Sequence, residues 1–204
     1  PDAFQVKGVS TLYNDSGEPV SQWVKTSIDS ERQRDAITQA VNNLITDLPK
    51  LPSYKPPKST DKDLLTLYTI TDYHVGMLAW DRESGDDWDV SISEKVLINA
   101  FREMMDGSPN SHTAIINIQG DFLHWDGLEP VTPTSKHAVD ADTRYSKMVG
   151  LSLDLVILIT QMALEKHKNV KVYVCEGNHD LASSVWLRKS LIRLFADNKR
   201  VEVD

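Results

Sequence analysis

Three short stretches bring carboxylate, imidazole and amide groups together: Asp72-Tyr73-His74, Gly120-Asp121 with His124 and Asp126 close behind, and Gly177-Asn178-His179-Asp180. Carboxylate oxygens and imidazole nitrogens are the ligands divalent cations use, and one carboxylate can bridge two ions about 3.5–4 Å apart. Asp72 and His74 stand two apart at the end of an extended run, where a period of two turns both to one side, so they can grip one cation together. Gly120 lets the chain turn away tightly beside Asp121, the candidate bridge. Gly177 lets the backbone swing, and Asn178 offers an amide oxygen to a second ion. His179 would point elsewhere and suits a proton donor to a leaving alkoxide. Any one stretch alone reads as a turn, because Gly, Asn and Asp are turn formers. What they share is position: each directly follows an apolar, β-rich run.

Those runs are "LLTLYTI" (64–70), "TAIINI" (113–118) and "VKVYVC" (170–175). Between and after them the apolar spacing predicts helices over about 91–106, 141–168 and 182–196, and "RVEV" (200–203) begins a fourth strand. Alternating strands and helices imply an α/β sheet with parallel pairing, whose ligands collect outside the carboxyl ends of the strands. Upstream, residues 4–13 and 20–28 flank the turn-rich "NDSGEP" and read as a hairpin. Ser30 then opens a helical pattern with Ile37, Val41, Leu44, Ile45 and Leu48 on one face. "PKLPSYKPPKST" (49–60) holds four prolines and reads as a stiff linker. The expected organisation is an amino-terminal appendage (1–48), the linker (49–60) and a main domain (61–204).

The set D-x-H, G-D and G-N-H-D resembles the calcineurin-like metallophosphoesterase superfamily, and the likeness covers residues 64–204. It implies a β-sandwich flanked by helices and hydrolysis of phosphate esters by metal-activated water on two divalent ions. Manganese is the first expectation, with iron or zinc as alternatives. By the resemblance, Asp72 and His74 bind the first metal, Asp121 bridges and Asn178 binds the second. His179 meets the scissile phosphate or protonates the leaving group, and Asp180 orients a neighbour. "DYHVGM" and "GDFLH" are similar to the D-x-H-L-G and G-D-L-F-H of SbcD-type DNA repair exonucleases. This points to DNA or RNA as the phosphodiester substrate and brings His124 to the active site as a second catalytic histidine. A loop histidine there, a phosphatase and a small-molecule phosphodiesterase stay open. The superfamily's later histidine and its Gly-His-x-His element are not found before Asp204. The chain is therefore expected to be the amino-terminal part of a larger phosphoesterase, incomplete at its carboxyl end and nearly inactive alone, or else a non-enzymatic interaction scaffold.

Composition narrows the classes. Net charge is −8, all of it in 61–204, where 15 Lys/Arg face 23 Asp/Glu. An acidic body does not hold polyanions nonspecifically, although carboxylates bind the cations that do. Trp125 could stack on a base, with a plain loop role for it and Asp126 as the alternative. The basic residues Arg188, Lys189, Arg193, Lys199 and Arg200 could hold a phosphate backbone or be solvated helix charges. One cysteine, Cys175, excludes a disulfide framework; it is read as a buried strand residue in a reducing, cytoplasmic setting. The apolar stretch 148–164 contains Asp154 and Gln161 and reads as a buried helix, so no membrane partner is expected. Residues 1–48 could instead dock a protein partner. Neither a Gly-x-Ser-x-Gly elbow nor a phosphate-binding P-loop is present.

Overall fold

Alternating apolar residues turn each of the three runs into a strand with one buried side. The computed structural model describes residues 4–28 and 54–204. The chain divides into two compact units, Pro1–Asp47 and Leu48–Asp204. In the first, β1 (Phe4–Tyr13) and β2 (Pro19–Ile28) pair antiparallel. Their loop is closed by Asn14 Oδ1, which accepts from the Ser16 and Glu18 amides. The helix expected over 30–48 and the start of the proline-rich linker lie outside the described residues.

The second unit is a four-stranded parallel sheet in the order β3 (Asp61–Ile70), β4 (Ser111–Gln119), β5 (Asn169–Cys175), β6 (Val201–Val203). The short α1 (Asp81–Ser84) and α2 (Val90–Gly107) connect β3 to β4; α3 (Tyr145–Lys166) connects β4 to β5; α4 (Leu181–Leu194) connects β5 to β6. Strand order follows chain order, so right-handed crossovers send every long helix to the same face. Burial agrees. Tyr68, Ile70, Ala114, Ile116, Ile118, Val170, Val172 and Val174 are covered, whereas Leu65 and Leu67 on the opposite face are each 55% exposed. Among the described residues of this unit no second sheet is present, so the expected β-sandwich is not seen within it. α3 is long and apolar enough to cross a membrane, yet most of it is buried, as in a core helix. It begins at Tyr145, four residues later than the spacing predicts.

Cys175 is exposed, against the buried reading. Alternation along β5 gives the helix-covered face to Val170, Val172 and Val174, so the cysteine, one step further, falls on the open side. At the amino end of the sheet, fully buried His167 bonds Tyr68 Oη through Nε2 (2.8 Å) and Ser111 Oγ through Nδ1 (2.9 Å). Arg200 is likewise committed to structure, donating to the carbonyls of Tyr54, Leu164, His167 and Lys168. Arg188 donates to the Val174 carbonyl. Arg200 is thus held in structure, Arg188 keeps donors beyond its one bond, and Lys189, Arg193 and Lys199 are solvated.

Candidate metal centre

The carboxyl ends of β3, β4 and β5 lie along one edge of the sheet, and the three polar stretches emerge there. The loops after β3 and β4 stay zipped beyond the strands. The Asp72 amide donates to Gly120 O (3.3 Å), His74 to Asp121 O (2.9 Å), Val75 to Phe122 O (2.8 Å) and His124 back to Val75 O (3.1 Å). Tyr73 anchors the first loop, its ring stacked on Phe122 and edge-on to Trp88, its hydroxyl donating to the Ser93 carbonyl of α2.

Asp72, His74 and Asp121 are held in left-handed backbone, with φ of 51°, 52° and 49°. Only one other non-glycine described residue, Lys136, has positive φ. Such conformations cost about 1 kcal/mol or more each and persist where surrounding structure imposes them, often at functional sites. Asp72 and His74 lie past the end of β3, so left-handed turns rather than the strand pleat bring them together. One ligand atom from each of Asp72, His74 and Asp121 falls within a group no wider than 4.8 Å, and a second such group comprises His74, His124 and His179.

Asp180 joins the strand ends. It is 1% exposed, and its two oxygens accept four backbone N–H groups: Gly177 (2.9 Å) and Asp121 (3.2 Å) on Oδ1, Phe122 (2.9 Å) and Leu123 (3.2 Å) on Oδ2. This is an orienting role. Gly120, at φ +84°, makes the tight turn before Asp121. Gly177 has no positive φ; its lack of a side chain makes room, since a Cβ there would sit 2.1 Å from Asp121 Oδ1 and 2.2 Å from Asp121 N. The expected swing of the backbone at Gly177 is therefore replaced by close packing of the β5 loop on Asp121.

His179 is fixed at two points: its amide donates to Asp121 Oδ1 (2.7 Å) and its Nδ1 donates to the His124 carbonyl (2.7 Å). His124 is buried and places Nδ1 3.2 Å from His74 Nδ1. It therefore stands at the site rather than in a remote loop. Burial, then the neighbouring rings of His74 and His179, lower the His124 pKa to about 4. Burial also lowers His74 and His167. These rings take up a proton at lower pH in the fold than in an unfolded chain, where histidine titrates near pH 6.5. The unfolded state thus binds more protons below that pH, and stability is lost as pH falls toward the folded pKa values. Urea unfolding at pH 7 and 5.5 should show a lower midpoint at 5.5, with His124 alone contributing about 1 kcal/mol. A midpoint unchanged or raised on acidification contradicts this assignment.

The remaining candidates fall into place differently. Asn178 is exposed beside the site. Asp126 is more than a loop residue: its carboxylate accepts from the amides of Ala182 and Ser183 and caps α4 from a neighbouring loop. Trp125 is 2% exposed and packed near Gly76, so it cannot stack on a base. The strain at three ligand positions and the space required at Gly177 were not visible from residue types. No protein-family model matches the chain, and comparisons with curated proteins and with solved structures also yield no match.

Proposed function

We propose that the second unit is a calcineurin-like metallophosphoesterase domain that hydrolyses phosphate esters, with a nucleic-acid phosphodiester as the foremost substrate. One observation carries the reading: Asp72, His74 and Asp121 gather ligand atoms at the carboxyl ends of adjacent parallel strands, each in a strained backbone conformation. The donor set suits a divalent cation, since two carboxylates and an imidazole supply charge and lone pairs. Asp72 and Asp121 each have one oxygen in a hydrogen bond, leaving the other for an ion. Asn178 stands at the same edge for a second ion. Divalent cations there would supply Lewis-acid activation of water and neutralise phosphoryl charge.

The chain's own groups do the positioning. Asp180 fixes the amides around Asp121, and Asp121 with the His124 carbonyl fixes the His179 ring. Because the carbonyl can only accept, His179 Nδ1 carries the proton in the neutral ring and Nε2 is open to a phosphate or leaving group. Half-exposed His179 can exchange protons with solvent between turnovers.

Manganese titration followed by the paramagnetic resonance of free Mn²⁺ tests the site. Asp121→Ala should weaken binding at least about 10-fold. His179→Ala should keep manganese affinity and, in a protein carrying the complete set of ligand motifs, lower bis-aryl phosphate turnover by roughly 10²- to 10⁴-fold. Equal manganese binding by wild type and Asp121→Ala would sink the proposal. Tight binding without any metal-dependent turnover in a protein that carries the later histidine motifs would favour the scaffold reading.

A further inference from the structure

The geometry points to a second metal-binding mode at the same edge: a three-histidine site, His74–His124–His179, that takes a borderline ion such as Zn²⁺. The three rings lie with centroids 4.6, 5.1 and 5.5 Å apart, and one nitrogen from each falls within a group no wider than 4.8 Å. Tetrahedral zinc with Zn–N bonds of about 2.0–2.1 Å separates its ligand nitrogens by about 3.3 Å. His74 Nδ1 and His124 Nδ1 already stand 3.2 Å apart. A single N–H···N hydrogen bond accounts for that pair; with zinc held by both Nδ1 atoms, the ring that donated would carry its proton on Nε2 and stay neutral.

The third ring is arranged as metal-binding histidines usually are. His179 donates Nδ1–H to the His124 carbonyl, which fixes the tautomer and leaves the lone pair on Nε2. Three neutral nitrogens with a fourth position open select zinc, cobalt or copper over magnesium or manganese, whereas Asp72, His74 and Asp121 form the harder, oxygen-rich set. His74 belongs to both groups, so the two ions compete for one side chain. The consequence for catalysis, though not the zinc site itself, rests on the phosphoesterase reading. Zinc on His179 takes up the lone pair that a proton donor needs, and zinc on His74 weakens the harder site. Excess zinc is therefore inhibitory.

Calorimetric titration of the whole chain with Zn²⁺, and Co²⁺ titration followed by visible absorption, test this directly. Wild type should bind one zinc and give the intense absorption of four-coordinate cobalt. His124→Ala and His179→Ala should each weaken zinc by more than the roughly 100-fold upper range for losing an outer-shell partner, and both should abolish the cobalt band. Asp121→Asn, which keeps an oxygen for the His179 amide, should retain zinc within a few-fold. Circular dichroism confirms folding, and half-exposed His179 supplies the variant that leaves no core cavity if His124→Ala unfolds. Zinc affinity unchanged in a folded His179→Ala or His124→Ala protein overturns the site. Zinc and manganese binding together without competition overturns the shared role of His74. Loss of manganese binding alone would count against the hydrolase reading while leaving the zinc result standing.

Discussion

Asp180→Ala is expected to destabilise the chain by about 4 kcal/mol or more, a large share of the roughly 5–15 kcal/mol that keeps an ordinary domain folded. The carboxylate is almost fully buried and accepts four backbone amides drawn from two strand ends. Alanine has no acceptor, and a buried amide left without one costs about 1–3 kcal/mol. Relaxation and entering water return part of this, so the sum is a ceiling rather than the expected value. Asp180→Asn is not a mild substitute here. Whichever way the amide is turned, its NH₂ group meets two N–H donors, either Gly177 and Asp121 or Phe122 and Leu123. We expect a loss of about 2–3 kcal/mol, together with weaker manganese binding because Asp121 loses its support. Chemical denaturation of the three proteins checks the order wild type, Asn, Ala. An Asn variant within 0.5 kcal/mol of wild type, a difference typical of a neutral surface substitution, would show that Asp180 does not join these loops.

Much of the second unit was legible because its runs are long and consistent. "TAIINI" and "VKVYVC" are apolar and β-branched, and the structure makes strands of both, each extended by a residue or two at its ends. Parallel pairing was readable from the alternation of strands and helices, whereas the strand order, which follows chain order, was not. The gathering of Asp72, His74 and Asp121 was also readable from their position after those runs, although the reason given for it was not. A strand period of two would turn Asp72 and His74 to one side, but β3 stops at Ile70 and left-handed turns bring them together. Asp and His adopt positive φ more readily than most residues, but their presence does not tell which of them does so. Burial misled in both directions. Cys175 shares its run with three buried valines yet takes the open face of the sheet, because helices cover one side only. Trp125, in a polar loop, is drawn under that loop by packing. Asp126 shows the same limit: its partners are 56 and 57 residues away in sequence, and no local pattern pairs a loop carboxylate with a distant helix start.

Two glycines, one at the site and one within α3, allow a sharp separation between space and backbone freedom. Gly177→Ala would set a methyl group 2.1 Å from Asp121 Oδ1 and 2.2 Å from its amide nitrogen, far inside van der Waals contact. One of those atoms is backbone, so a rotamer change cannot relieve the clash. Overpacking of buried positions costs about 1–3 kcal/mol and sometimes more, and this site belongs at or above the upper end. The strand ends must part or Asp121 must move, and either outcome takes the carboxylate out of register with Asp72 and His74. We therefore expect Gly177→Ala to lose about 3 kcal/mol and at least about 10-fold in manganese affinity. Gly150→Ala is the matched control. It lies within α3, a Cβ there meets nothing within 4 Å, and alanine is the better helix former, so it should stabilise by about 0.5–1 kcal/mol. Denaturation midpoints and manganese titrations of both variants decide the matter. If Gly177→Ala binds manganese as wild type does, Asp121 tolerates displacement and cannot be the ligand around which the site is built.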